Sequence, residues 1–174
     1  MTYDIKIYDI SPDNQSRFTL GTFGKRPLFV IGLNPSTAND IVPDRTIKKV
    51  MTFAENAGFD SFIMLNLYAQ RTPYPNLVHD KLDSLLHKEN IERINSTLCL
   101  YDNPTILASW GETIKIRPFF MECLRGIYNS TKHLNINWLK IGDFTVSRHP
   151  RHPSRAPYKS GLTDFNINEY LISN

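Results

Sequence analysis

The chain has 174 residues, 41% of them hydrophobic and 21% charged, with a formal net charge of +3. This is an ordinary globular composition, long enough for one domain with a sizeable core. It excludes a low-complexity chain, and no apolar run approaches the roughly 20 residues that cross a bilayer. The small positive balance suits a polyanionic partner without demanding one. The opening stretch MTYDIKIYDI carries Asp4 and lacks an apolar core, so no signal peptide and a cytoplasmic location are expected. Cys99 and Cys123 fall in apolar helical patterns, with neither metal spacing nor a disulfide framework. Both are expected to be core thiols in a reducing compartment.

In chain order, residues 3–8 alternate weakly and RFTLGTF (17–23) reads as a short strand, which predicts a small antiparallel edge. LFVIGL (28–33), SFIMLN (61–66) and TILASW (105–110) are short apolar runs bounded by turn residues, and INWLKIG (136–142) is a fourth. Between them, residues 44–57 place Ile47, Val50, Met51, Ala54 and Ala57 on one helical face, with Asp44 as N-cap and Gly58 as the stop. Helices are also predicted over 80–100 and 112–128, the latter kinked or restarted at Pro118, and a short one from Asp164 to about Leu171. Strands spaced by helices mean βαβ units. The predicted architecture is an α/β fold in one domain over residues 1–174. It is a three-layer α/β/α sandwich around a central, mostly parallel, four-stranded sheet, with the antiparallel edge at its N-terminal side.

In such a sheet, ligands bind outside the carboxyl ends of the strands. Asn34 stands there in GLNPS, after the first run, either as the N-cap of a helix begun by Pro35 or as a ligand contact. Asn66 ends SFIMLN, either as a turn former or as a second amide at the same rim. An amide offers a donor and an acceptor together, which suits the edge of a nucleobase. After the fourth run comes SRHPRHPSRAPYK (147–159), stiffened by three prolines, and residues 144–163 contain no acid. Arg148, Arg151, Arg155 and Lys159 there read either as a solvated surface loop or as backbone-phosphate contacts. His149 and His152 lack a carboxylate companion, so a metal site is the poorer reading. Glu112, after SWG, reads as a helix-start carboxylate or a catalytic one. No dinucleotide fingerprint, P-loop or nucleophile elbow is present.

These residues together resemble the uracil-DNA glycosylase superfamily. GLNPS (32–36) is similar to its first motif in the mismatch-specific branch, G-I-N-P-G. FIMLNLYAQR (62–71) is similar to the strand ending in a base-reading Asn. TILASWGE is similar to the third strand, and HPSRAPYKSGLTDFNINEYL (152–171) to the H-P-S motif and terminal helix. Within it, the chain looks closest to an uncharacterised bacterial and phage group marked by N-P-S-T-A and P-R-H-P. The resemblance covers most of residues 28–172 and implies a uracil-DNA glycosylase-like fold.

It further implies a metal-independent, cofactor-free hydrolase of N-glycosidic bonds, acting on deaminated, mismatched or modified bases flipped out of DNA. Asn34 would hold the attacking water and His152, or His149, would donate to the leaving base. Asn66 would read the base beside Tyr68 and Pro35. Ser36, Arg151, Ser154 and Arg155 would meet phosphates. The more active branch has Asp in place of Asn34, so slow turnover is expected. The aliphatic wedge after H-P-S is replaced by Arg155-Ala156-Pro157-Tyr158. The rival expectations are a non-catalytic binder of nucleic acid or nucleotides, and a nucleoside or nucleotide hydrolase that does not act on DNA. A monomer is expected, with DNA or a nucleotide as partner and no membrane.

Overall fold

In the computed structural model, which describes residues 1–174, the chain forms strands β1 (Ile5–Ile10), β2 (Arg17–Thr22) and β3 (Pro27–Gly32), then helix α1 (Arg45–Asn56) and strand β4 (Ser61–Asn66). Helix α2 (Ser84–Leu98), strand β5 (Thr105–Ala108), helix α3 (Phe119–Thr131) and strand β6 (Asn137–Ile141) follow. Strand β7 (Leu162–Asp164) and helix α4 (Ile167–Ser173) complete the chain. One mixed sheet holds all seven strands in the order β1-β2-β4-β3-β5-β6-β7. Strands β4, β3, β5 and β6 pair in parallel, whereas β2 joins β4 and β7 joins β6 antiparallel.

The α/β class agrees with the sequence pattern, but the four-stranded sheet does not: the sheet has seven strands. The N-terminal hairpin is part of it, because Leu20 and Gly21 pair with Met64 and Ile63. Strand β7 is only three residues long and follows a proline-rich segment, so it carries no alternation to read. Strands β3 and β4 are buried along their whole length. Helices cover both sheet faces, which is why these runs are continuously apolar.

The helices start where side chains can cap them. The Asp44 carboxylate accepts the Ile47 N–H at 2.9 Å, and Asp83 accepts from Leu85 and Leu86. A 3-10 turn over Glu112–Ile116 precedes α3, and Pro118 stands at the N-cap. On one sheet face Leu28, Val30, Phe62 and Met64 pack with Ile47, Val50 and Phe53 of α1. On the other, Phe29, Ile31, Ile63 and Leu65 share a core with Ile94 and Leu98 of α2 and Phe120 and Leu124 of α3. Cys123 is buried there, but Cys99 is exposed. It is the C-cap residue, one step past the last turn of α2. No helix is long and apolar enough to cross a membrane.

From β3 the chain crosses to β4 on one side, then returns past β3 to β5 on the other. The exit of β3 is therefore the point where a crevice opens in such sheets. Helix α2 secures this region: buried Asn90 donates from Nδ2 to the carbonyls of Asn66 (3.0 Å) and Leu67 (3.2 Å) at the end of β4. Replacing Asn90 by Leu strands both carbonyls. The variant should lose about 2–3 kcal/mol of stability, read as a lower denaturation midpoint with an unchanged slope. A midpoint equal to wild type would show that the anchor contributes nothing.

Candidate functional site

Asn34 begins no helix, since α1 starts eleven residues later at Arg45. Its Nδ2 instead donates to the carbonyls of Thr72 (2.9 Å), Pro35 (3.0 Å) and Gln70 (3.4 Å), while the Thr72 N–H donates to the Pro35 carbonyl at 2.9 Å. The amide nitrogen thus ties the exit of β3 to the segment leaving β4. The amide oxygen accepts no hydrogen bond from the chain, and Asn34 lines a cavity of about 170 Å³ at this rim. Gly32 and Met64 line the same cavity. A Cβ on Gly32 would stand 2.6 Å from Met64 Cε and 3.1 Å from Asn66 Oδ1, so a larger residue there would have to displace both side chains.

The remaining walls come from five places along the chain. Asp44, Thr46 and Ile47 bring the N-terminus of α1 to the cavity. Thr72, Pro73 and Pro75 form the side held by Asn34. Arg117 braces that side from behind, donating to the carbonyls of Asn76, Val78 and His79. Arg17, at the start of β2, is 2% exposed and donates from Nη1 to the Ala38 carbonyl at 2.6 Å. Its Nε is buried with no partner. Burial and the neighbouring Arg71 charge lower its pKa to about 10, against the pull of Asp44. Asp44 is the only acid lining this cavity.

His152 closes the cavity from the proline-rich loop. Its Nδ1 lies 2.8 Å from Ser154 Oγ and accepts the Ser154 N–H at 3.4 Å. A backbone N–H can only donate, so in the neutral ring the proton sits on Nε2. Burial, reinforced by Arg155, pushes the His152 pKa down to about 4, with Asp44 opposing. At neutral pH His152 is thus an uncharged donor. Gly111, at φ 68°, allows the approach: a Cβ there would be 3.0 Å from His152 Cβ. On the loop's other side, Lys49 of α1 donates to the Ala156 carbonyl at 2.8 Å. A second cavity, of about 360 Å³, shares Pro75, Thr113 and His152 with the first. Glu112, Thr145, Arg151, Ser154 and Arg155 also line it. The Glu112 carboxyl pKa is lowered by hydrogen bonds from Thr145 and Ser147, which ties this acid to the loop after β6.

The structure therefore brings Asn34, Ser36 and His152 to one cavity, and Arg151, Ser154 and Arg155 to its neighbour. Other expected site residues lie elsewhere. Asn66 pairs with Gly32 across the strands but is buried beside the first cavity without lining it. Both its amide atoms lack partners. Tyr68 is a core residue, packed on Phe119, with its hydroxyl 2.8 Å from His79 Nδ1. Its position two residues past the strand turns it away from the crevice. Pro35 is buried and lines neither cavity. Arg148 is exposed at φ 61° and borders a hollow near α4 instead. Lys159 is exposed and lines neither cavity. His149 is buried against Tyr170, its Nδ1 2.7 Å from the hydroxyl, so His152 is the cavity histidine. Arg151 spends Nε and Nη2 on the carbonyls of Asp143 and Phe144.

A family model described as "Protein of unknown function (DUF1643)" matches residues 17–154. The chain belongs to the DUF1643 family. No curated protein and no solved structure matches it. The DUF1643 match runs from Arg17 to Ser154 and so takes in every residue lining the first cavity.

Three cavity features escape the sequence reading. The sequence marks Arg17 only as the first residue of a short strand and Asp44 only as a helix cap, and it assigns residues 72–75 no role. The only signal for Arg17 is a cation at the head of an otherwise apolar run. The depressed His152 pKa has a consequence for stability. Between about pH 6.5 and 4 the unfolded chain binds a proton on this histidine that the folded chain does not. Stability held at neutral pH is lost as pH falls through that window. His152→Gln removes this contribution, so its stability should fall less steeply between pH 6.5 and 4 in denaturant titrations. Identical slopes would mean the ring is not held neutral.

Proposed function

We propose that the two cavities form the active site of a hydrolase of N-glycosidic bonds acting on a base in DNA or a nucleotide. The observation that carries this reading is the meeting of Asn34, Asp44 and the neutral His152 in the lining of one small cavity. A volume of about 170 Å³ lies below the roughly 300–1,000 Å³ of drug-sized sites, which suits a single base-sized group. Resemblance to the uracil-DNA glycosylase superfamily in GLNPS and HPS supports the same reading, as does the presence of α1 on one sheet face and α2 and α3 on the other. On this reading the fold is a three-layer sandwich of that type.

The chemistry follows from what each group can do. As the glycosidic bond opens, its electron pair moves to the base, which departs as an anion. A neutral imidazole N–H can hydrogen-bond that developing charge without first binding the anion as a salt partner. Water forms the new bond to the sugar carbon, oriented by the Asn34 oxygen. An amide takes no proton, so Asp44 receives it. One Asp44 oxygen is held by the Ile47 N–H, and the other remains for this task. Arg155 and Ser154, at the rim, are placed to meet phosphates. The second reading, binding without cleavage, is favoured by one feature. Tyr158 lies against Phe53 under the Lys49 ammonium, 3.6 Å from the ring centroid, and so provides no wedge for opening a duplex. Single-stranded or nucleotide substrates fit this better than an intact duplex.

The test is incubation with single- and double-stranded oligonucleotides carrying uracil, mismatched thymine or modified pyrimidines, followed by an assay for abasic sites. Single-stranded cleavage should predominate, and His152→Ala should slow it about 10²–10³-fold while leaving the fold intact. No abasic product at enzyme excess, with binding retained, would replace the hydrolase by the binding reading.

A further inference from the structure

Bond cleavage of this kind leaves Arg17 without a role, yet Arg17 is the costliest group at the cavity. Its guanidinium is almost completely buried, and only Nη1 makes a hydrogen bond. Nε is buried and unpartnered, and Nη2 donates to nothing in the chain. Arg71 brings a second guanidinium to the same Ala38 carbonyl, at 3.1 Å. Neither arginine forms an ion pair. A buried cation without a counter-charge is strongly disfavoured, and a second cation beside it adds to the penalty. The facing acid, Asp44, does not reach ion-pair distance and has one oxygen committed to α1. Beside it, Thr46 brings the first turn of α1 to the cavity, where backbone N–H groups lack intrahelical acceptors. The first cavity thus holds unspent donors, and Arg71 behind Arg17 leaves two cations against the single Asp44 carboxylate at this end of the sheet.

We propose that the first cavity receives a permanently anionic group, a phosphate or a carboxylate borne on a nucleotide or a base, with Arg17 as its counter-charge. With Nη1 on the Ala38 carbonyl and Nε buried, Nη2 is the guanidinium nitrogen left to meet an oxygen of such a group. The inference rests on the cavities being a ligand site and does not require that a bond is cut there. It makes the ligand an anion where the strand-end amides alone suggest a neutral base edge. It also explains why the chain tolerates a buried charge: a purely structural residue here would be better served by an apolar side chain of similar volume.

The experiment compares binding of inorganic phosphate, thymidine, thymidine 5′-monophosphate and 5-carboxyuracil to the wild-type protein by calorimetry at low and high salt. At least one of the two organic anions should bind roughly tenfold or more tightly than thymidine, with the preference shrinking as salt rises. Which anion is preferred tells a phosphate from a carboxylate. Arg17→Met should melt at or above the wild-type temperature and lose the preference, and Arg17→Lys should keep part of it. Equal binding of thymidine and both anions, no binding of any anion, or a preference that persists in Arg17→Met would each overturn the proposal. The wild-type comparison decides the matter whether or not either variant folds. Anion binding without abasic product removes the hydrolase and leaves this site standing; cleavage without anion preference does the reverse.

Discussion

The hydrogen bonds of one side-chain amide tie together the cavity-bearing end of this molecule. Asn34 Nδ2 gathers the carbonyls of Pro35, Gln70 and Thr72, so the segments leaving two neighbouring parallel strands turn toward each other. The Thr72 N–H to the Pro35 carbonyl and the Arg71 N–H to the Gln15 carbonyl support the same return of the segment over residues 70–75. The tie spends the nitrogen and frees the oxygen. One residue thereby builds a wall of the cavity and presents an acceptor inside it. Gly32, just below, keeps the floor low, and Asn90 fixes the end of β4 from the opposite face.

Around that frame, burial sorts the charges in an unusual way. His152 is kept neutral by burial and by Arg155, whereas Arg17 stays cationic although no carboxylate pairs with it. Lowering a histidine to about 4 removes it from acid–base exchange at neutral pH and turns it into a fixed dipole. An arginine, whose ordinary pKa lies far higher, remains charged even after a large depression. The cavity therefore offers a neutral donor on one wall and a full positive charge on another, with a single carboxylate at the helix start. On the proposed reading, such an arrangement distinguishes between parts of a ligand: Arg17 meets negative charge and Nε2–H meets a hydrogen-bond acceptor.

Much of this was legible from residue order. The four apolar runs and the helix-capped segments between them are local patterns, and local patterns decide local structure. Asn34 and His152 were also legible, because each follows a strand and faces the one place where a parallel sheet opens. What failed depended on side-chain direction or on distant partners. Asn66 ends β4 and stops beside Gly32, whereas Tyr68, two residues on, enters the core against Phe119. Strict alternation would put both on one side, but it ends with the strand, and Leu67 and Tyr68 join the same core. Strand β7 exists only because β6 offers it an edge, which three residues cannot announce alone. Arg17 is held by residues far along the chain, its guanidinium at the Ala38 carbonyl and its N–H at the Ala69 carbonyl. No nearby neighbour in sequence signals that.

The most direct measurement is a crystal structure of the protein soaked with thymidine 5′-monophosphate. The ligand should occupy the first cavity, with an acceptor within hydrogen-bond distance of His152 Nε2 and anionic oxygens against the Arg17 guanidinium. A ligand bound on another surface, with the hollow between α1 and the 152–155 turn left unchanged, would contradict the assignment of the β3 exit as the working end of this fold.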